Sequence, residues 1–195
     1  RRDVFAVGGQ KRGFDRRHLL IVGGSLGAHA LNKFMVEMLP VLKKAGVSIR
    51  HQTGVRDEPV VKEAYARAGY DPSCVTAFIN DMPGAYSWAD LVLCRAGAST
   101  VAELCGAGVP SILVPYPYAA GDHQTGNARA LEQAGAAVLF QEKSLSASFL
   151  GGTITGLFGE PDRLAMMSRA ALGLARCDAA SRVADQIEAV AVKRQ

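Results

Sequence analysis

Leu19-Leu20-Ile21-Val22-Gly23-Gly24-Ser25-Leu26-Gly27-Ala28 joins a short apolar run to a glycine-rich turn and then to a helical pattern over residues 28–42. An apolar run bounded by turn residues reads as a strand covered on both faces. Glycines permit a tight strand-to-helix turn and let a ligand approach the backbone. The helix beyond opens with unpaired N–H groups and a positive dipole end, and both favour phosphate. The stretch is not GxGxxG and lacks the GKS/T of a P-loop. By itself it reads equally as a phosphate site, with Ser25 adding a hydroxyl donor, and as a plain structural turn.

Working outward, the same unit repeats. Further β-rich runs occupy residues 48–52, 75–78, 91–94, 111–114 and 137–139, and helical patterns fall at 58–68, 82–88, 100–107 and 124–133. Parallel neighbouring strands need such crossovers. The fold class expected is α/β, a Rossmann-like doubly wound parallel sheet of about six strands. Beyond residue 139 the pattern turns helical. A helix is expected to open over 145–150 after a Ser144 cap, with Gly151 and Gly152 complicating its end. Another runs from Pro161 toward Arg176, and a last one over 180–192 carries Val183, Ile187 and Val190 on one face. The 195 residues suit one domain, 18–195. Residues 1–17, polar and strand-poor, read as an incoming interdomain connection.

Composition narrows the class. Lys and Arg number 22 against 18 Asp and Glu, a net charge of +4 that does not indicate nucleic acid. The early basic residues Arg1, Arg2, Lys11, Arg12, Arg16 and Arg17 read as a solvated segment. Cys74, Cys94, Cys105 and Cys177 contain no CxxC pair, which argues against zinc and dithiol redox sites. In apolar surroundings Cys94 and Cys105 read as small core residues. No apolar run approaches the roughly 20 residues of a membrane-spanning helix, and no signal peptide is visible. A reducing, cytoplasmic location is therefore expected.

Chemistry-bearing residues collect at the ends of the expected strands. Cys94-Arg95-Ala96-Gly97-Ala98-Ser99-Thr100-Val101-Ala102-Glu103 leaves one strand and opens a helix. Thr100 and Glu103 have capping-box spacing, so Glu103 either caps its own helix or offers a carboxylate to ribose hydroxyls. Residues 116–127, from Tyr116 to Asn127, form a Pro/Gly-rich loop ending in amides that suit sugar hydroxyls. There Asp122 reads as either an N-cap or part of that site, and His123 reads as a surface residue. In Phe78-Ile79-Asn80-Asp81-Met82, Ile79 either flanks a base or ends a strand in the core. In an open α/β sheet ligands bind at this edge, which raises the standing of each segment without naming the ligand.

Taken in order, the GGSLGA turn, FINDM, CRAGASTVAEL, VPYPYAAGDHQTGNA and LEQAGAA resemble the MurG family of bacterial N-acetylglucosaminyltransferases, from about Leu19 to Ala137. The resemblance implies the C-terminal, donor-binding domain of a two-domain GT-B glycosyltransferase. It implies UDP-N-acetylglucosamine as donor and lipid I as acceptor, with inverting transfer giving lipid II. It places Ser25 on the donor diphosphate, Ile79 on uracil through its backbone, and the Ala98–Glu103 stretch on the nucleoside. Within that stretch Glu103 meets the ribose, and Ser99 and Thr100 lie near the phosphates. Gln124 meets sugar hydroxyls, Asn127 supports the loop, and Arg1 matches an interdomain arginine. The general base, the lipid I site and the contact with the cytoplasmic face of the plasma membrane are implied to lie in an N-terminal domain. This chain alone is expected to be inactive. No DxD-like pair is evident, so neither metal nor cofactor is expected. Two other readings stand beside it: another GT-B enzyme of UDP-sugars, including an epimerase, and a non-catalytic nucleotide-binding module. A Rossmann oxidoreductase is disfavoured by the missing GxGxxG.

Overall fold

The computed structural model describes residues 2–8, 13–24 and 27–176. Six strands, β1 (His18–Val22), β2 (Ser48–Gln52), β3 (Val75–Thr76), β4 (Leu91–Cys94), β5 (Ser111–Leu113) and β6 (Ala137–Leu139), form one sheet. Every pairing is parallel and the spatial order is β3-β2-β1-β4-β5-β6. The chain thus builds outward from β1 in one direction and from β4 in the other. The crevice between helices leaving these two strands is the topological switch point. The strand expected at 75–78 ends at Thr76, where the chain bends at Ala77, and the one expected at 111–114 ends at Leu113.

Alternate residues of β1 serve opposite faces. Leu19 and Ile21 pack with α2 (His29–Lys44), α3 (Glu58–Arg67) and α7 (Ala147–Phe158) through Leu31, Met35, Val61 and Ile154. Leu20 and Val22 pack with α4 (Met82–Trp88), α5 (Ala98–Ala107) and α6 (His123–Gln133) through Tyr86, Leu104 and Leu131. α8 (Pro161–Gly173) adds Ala171 to that second core, with Pro161 in its first turn.

Four local expectations change. The cap of α7 is Ser146, whose Oγ accepts from Phe149 N at 3.2 Å; Ser144 instead ends a short 3-10 turn. Gly151 and Gly152 lie inside α7, and Gly151 lets the helix approach Met38 of α2. Residues 2–7 are not merely polar, since they form α1 (Arg2–Val7), with Val4 and Val7 buried against the second core. Phe5 lies so close to Gly106 that a Cβ there would meet its ring at 2.8 Å. Arg16 is not simply solvated either: it pairs at 2.7 Å with Asp90, which is fully buried and also accepts from His18 N. The last expected helix, over 180–192, lies outside the described residues, as do Lys11, Arg12 and Cys177.

On the α2/α3 side of the sheet a chain of polar groups closes on itself. Asn32 Nδ2 donates to Thr53 O at 3.0 Å and to Asp57 Oδ2 at 2.7 Å, which fixes its amide. Its Oδ1 can only accept, so His51 Nε2 carries the proton at 3.0 Å. His51 Nδ1 then accepts from the Tyr65 hydroxyl at 2.9 Å. Burial holds His51 neutral, lowering its pKa to about 3 despite the carboxylate of Asp57. Burial works to raise the pKa of Asp57, but hydrogen bonds from Asn32 and His29 hold it below the usual carboxylate value.

Candidate functional site

β1 ends in Gly23 and Gly24, and Gly24 adopts φ +84°, the left-handed conformation glycine tolerates. Gly27 has φ +76°, and a Cβ on it would fall 2.1 Å from Thr53 O, so this corner admits no side chain. The turn is held by Gln52 at the end of β2, a residue absent from the sequence-based site. Its Oε1 accepts from Gly23 N at 3.0 Å and Gly24 N at 3.1 Å. Its Nε2 donates to Gly24 O and Ala77 O, both at 2.9 Å. The donors of Gly23 and Gly24 are therefore engaged within the protein. The sequence signal for Gln52 was a polar residue ending a strand that helices cover. Ser25 and Arg1 lie outside the described residues.

α5 leaves β4 with Gly97 at its N-cap and no side-chain cap. Thr100 and Glu103 are thus the third and sixth helical residues, and the capping-box alternative for Glu103 falls. α2 likewise starts after Ala28 without a side-chain cap. Helix starts of this kind leave first-turn N–H groups to water or to a ligand. Glu103 is half-buried, and its Oε2 accepts from the Tyr86 hydroxyl of α4 at 3.0 Å.

A cleft of about 170 Å³ opens at the switch point, walled by Gly24, Gln52, Ile79, Tyr86, Thr100 and Glu103. Of the sequence-based candidates, the cleft brings together Ile79, Thr100 and Glu103. Ile79 and Phe78 also border a depression of about 480 Å³ on the β2/β3 side, with Arg50, Cys74 and Trp88. The segment thus has open space on both sides. Asp81 caps α4, accepting from Gly84 N at 2.9 Å.

Ala98 and Ser99 are exposed at the start of α5. Gln124 and Asn127 meet at Ala96: Gln124 Oε1 accepts from Ala96 N at 3.3 Å and Tyr116 N at 3.0 Å, and Asn127 Nδ2 donates to Ala96 O at 3.0 Å. They tie the loop after β5 to the approach to α5. Asp122 occupies the N-cap position of α6 in the left-handed region, φ +52°, but its carboxylate accepts from the Thr125 hydroxyl instead of capping. His123 is exposed and bonded to Ala120 O. Arg95, also missed in the sequence, donates to Val114 O and Pro115 O and pairs with Glu142 at 2.5 Å, pinning the same loop. Burial pushes the Cys94 thiol up to about 12 and Cys74 up to about 11, which removes both as thiolate nucleophiles. No helix among the described residues is long and apolar enough to cross a membrane.

Residues 18–188 match the family model described as the glycosyltransferase family 28 C-terminal domain. A relative from Nitratidesulfovibrio vulgaris (strain DP4), named UDP-N-acetylglucosamine–N-acetylmuramyl-(pentapeptide) pyrophosphoryl-undecaprenol N-acetylglucosamine transferase, is 50% identical over 169 residues, 87% of this chain and 46% of that protein. A relative of the same name from Lawsonia intracellularis is 52% identical over 171 residues, 88% of this chain and 47% of that protein. The crystal structure of Acinetobacter baumannii MurG superposes with a TM-score of 0.78 at 38% identity, covering 95% of this chain and 52% of that one. The chain spans about half the length of the curated relatives it matches.

Proposed function

The chain belongs to the glycosyltransferase family 28 C-terminal domains, and from that premise we propose that it supplies the donor-binding half of a GT-B N-acetylglucosaminyltransferase. The reaction is inverting transfer of N-acetylglucosamine from UDP-N-acetylglucosamine to lipid I, releasing UDP and lipid II. The observation that carries this reading is the convergence of Gly24, Ile79, Thr100 and Glu103 on one cleft at the switch point of a parallel sheet.

Each wall of the cleft has a task in this reading. The backbone at Ile79 reads uracil. The Glu103 carboxylate, oriented by the Tyr86 hydroxyl, accepts from the ribose hydroxyls. Because Gly23 and Gly24 already give their N–H groups to Gln52, the diphosphate relies on Ser25 and on the first turns of α2 and α5 at Ala98, Ser99 and Thr100. These dipoles stabilise charge as it gathers on departing UDP. Gln124 spends its carbonyl oxygen on two backbone donors and turns its NH2 to a sugar hydroxyl, and Asn127 braces the loop. Residues 1–17, α1 included, are read as the connection from the other domain, with Arg1 kept as the interdomain arginine that the family resemblance implies. The acceptor hydroxyl needs a general base. We place that base, the lipid I site and the peripheral contact with the cytoplasmic membrane face in the half of the relatives' length that this chain does not span.

Calorimetric titration of the chain with UDP, UDP-N-acetylglucosamine, ADP-ribose and NAD tests the donor assignment. The uridine compounds are expected to bind at least about tenfold more tightly, a difference of ~1.4 kcal/mol. Equal affinity for the adenine compounds removes the base-reading role of Ile79. The chain alone is expected to produce no lipid II, and turnover by it overturns the division between halves.

A further inference from the structure

Gln52 joins two segments that the donor reading assigns to different parts of the nucleotide. Its buried amide presents an acceptor edge to Gly23 N and Gly24 N and a donor edge to Gly24 O and Ala77 O. Gly24 belongs to the turn beneath the diphosphate. Ala77 is two residues before Ile79, whose backbone faces the base. We infer that Gln52 is a positioning residue that sets the spacing between the phosphate and base subsites, an assignment that rests on the donor reading above.

The chemistry singles out glutamine. Oε1 and Nε2 lie in one plane, so one rigid group binds two N–H donors and two carbonyls at once; Gly23 N, Gly24 O and Ala77 O each keep a second backbone partner, and the amide is what ties the two segments to each other. Asparagine is one methylene shorter. Methionine fills the space but carries no donor. Glutamate has the shape, yet when ionised its second oxygen faces two carbonyl oxygens and sets a negative charge under the diphosphate turn. When protonated it regains one donor, and burial raises its pKa so that the neutral form is accessible in mild acid.

The test is calorimetric titration of the chain with UDP, comparing wild type, Gln52→Met and Gln52→Glu at about pH 5.5 and about pH 8.5. Temperature is set below each variant's measured melting transition. Dividing each Kd by the wild-type Kd at the same pH removes the titration of the nucleotide itself. Gln52→Met is expected to bind about tenfold more weakly at both pH values. Gln52→Glu should be at least as weak at the higher pH and recover about fivefold or more at the lower, which follows protonation and not packing. Should Gln52→Met fail to fold, the isosteric Gln52→Glu at two pH values carries the test. A folded Gln52 variant that binds UDP like wild type, or a Gln52→Glu ratio that ignores pH, overturns the positioning role alone. Failure of wild type to bind UDP overturns the donor reading and the role together.

Discussion

His51 and Gln52 are neighbours in β2, both buried and both polar, and they serve opposite faces of the sheet. On the α2/α3 face His51 joins Tyr65 and Asn32 in a network whose described members satisfy one another. On the α4/α5 face Gln52 borders an open cleft beside a helix that starts without a side-chain cap. The difference separates two uses of polarity. Groups that close on each other fix the fold, and each closed bond is worth about 1 kcal/mol net, more if one partner is removed. Around the open volume the Gln52 amide is fully engaged as well, and it is the uncapped first turn of α5 that leaves N–H groups for something that arrives from solution.

The sharpest way to break this contrast is acid. A base whose pKa falls on folding takes up its proton first in the unfolded chain, so stability rises with pH wherever the unfolded state binds more protons. For His51 the window runs from its ordinary 6.5 down to about 3. Its contribution is complete above pH 6.5 and is lost as pH falls toward the folded value. Urea titrations are expected to show about 2–3 kcal/mol lost between pH 6.5 and about pH 4.5. His51→Gln should flatten that slope, and an unchanged slope in the variant would transfer the effect to other groups.

On the open face the next largest effect is on ligand and not on folding. Glu103→Gln keeps an acceptor for Tyr86 but loses a charged two-oxygen acceptor for ribose. It should cost about 1–3 kcal/mol in UDP binding by calorimetry with an unchanged melting temperature. A 2′,3′-dideoxy UDP should bind both forms alike. Normal UDP affinity with early melting would make Glu103 a structural tie between α4 and α5.

Two smaller changes exchange the starts of α4 and α5. Gly97 has φ −63° and ordinary room for a Cβ, with Thr100 Oγ1 at 3.8 Å. Gly97→Asp gives α5 the kind of cap α4 has. It should raise the melting temperature slightly while weakening UDP about tenfold, ~1.4 kcal/mol, through a carboxylate at the phosphate end. Unaltered affinity would show that this helix start does not meet phosphate. Asp81→Ala makes the reverse change on α4 and should cost about 1 kcal/mol of stability in chemical denaturation. UDP affinity should hold, and a matching loss of binding would blur the distinction between the two starts.

What is legible in the sequence follows from the range of the interactions. The six strands and the helices between them appeared within about two residues because apolar runs and glycine turns are local signals, whereas α7 was expected over 145–150 and runs on through Gly151 and Gly152 to Phe158. The start of α5 was set two residues late because Ser99 and Thr100 look like caps, while the chain uses Gly97 and leaves the end bare. That shift also removed the capping-box alternative for Glu103. Ile79, Thr100 and Glu103 were legible through resemblance to a family, and the sheet order explains why they share a cleft. Gln52 was not legible as a clamp, since its partners Gly24 and Ala77 are 28 and 25 residues away. Arg16 and Asp90 meet across 74 residues, and no local pattern announces such a pair. α1 was obscured by its polar surroundings, although Val4 and Val7 carried the three-residue spacing of a buried face.

Trp88 is the chain's single tryptophan. Its indole stacks on His18 at 4.3 Å, lies 4.5 Å beneath the Arg50 guanidinium and borders the depression shared with Ile79. All indole emission therefore arises from one spot beside the base-reading segment. The protein carries a built-in optical reporter, and movement of that segment can be followed in the unlabelled chain by emission wavelength, anisotropy and quenching.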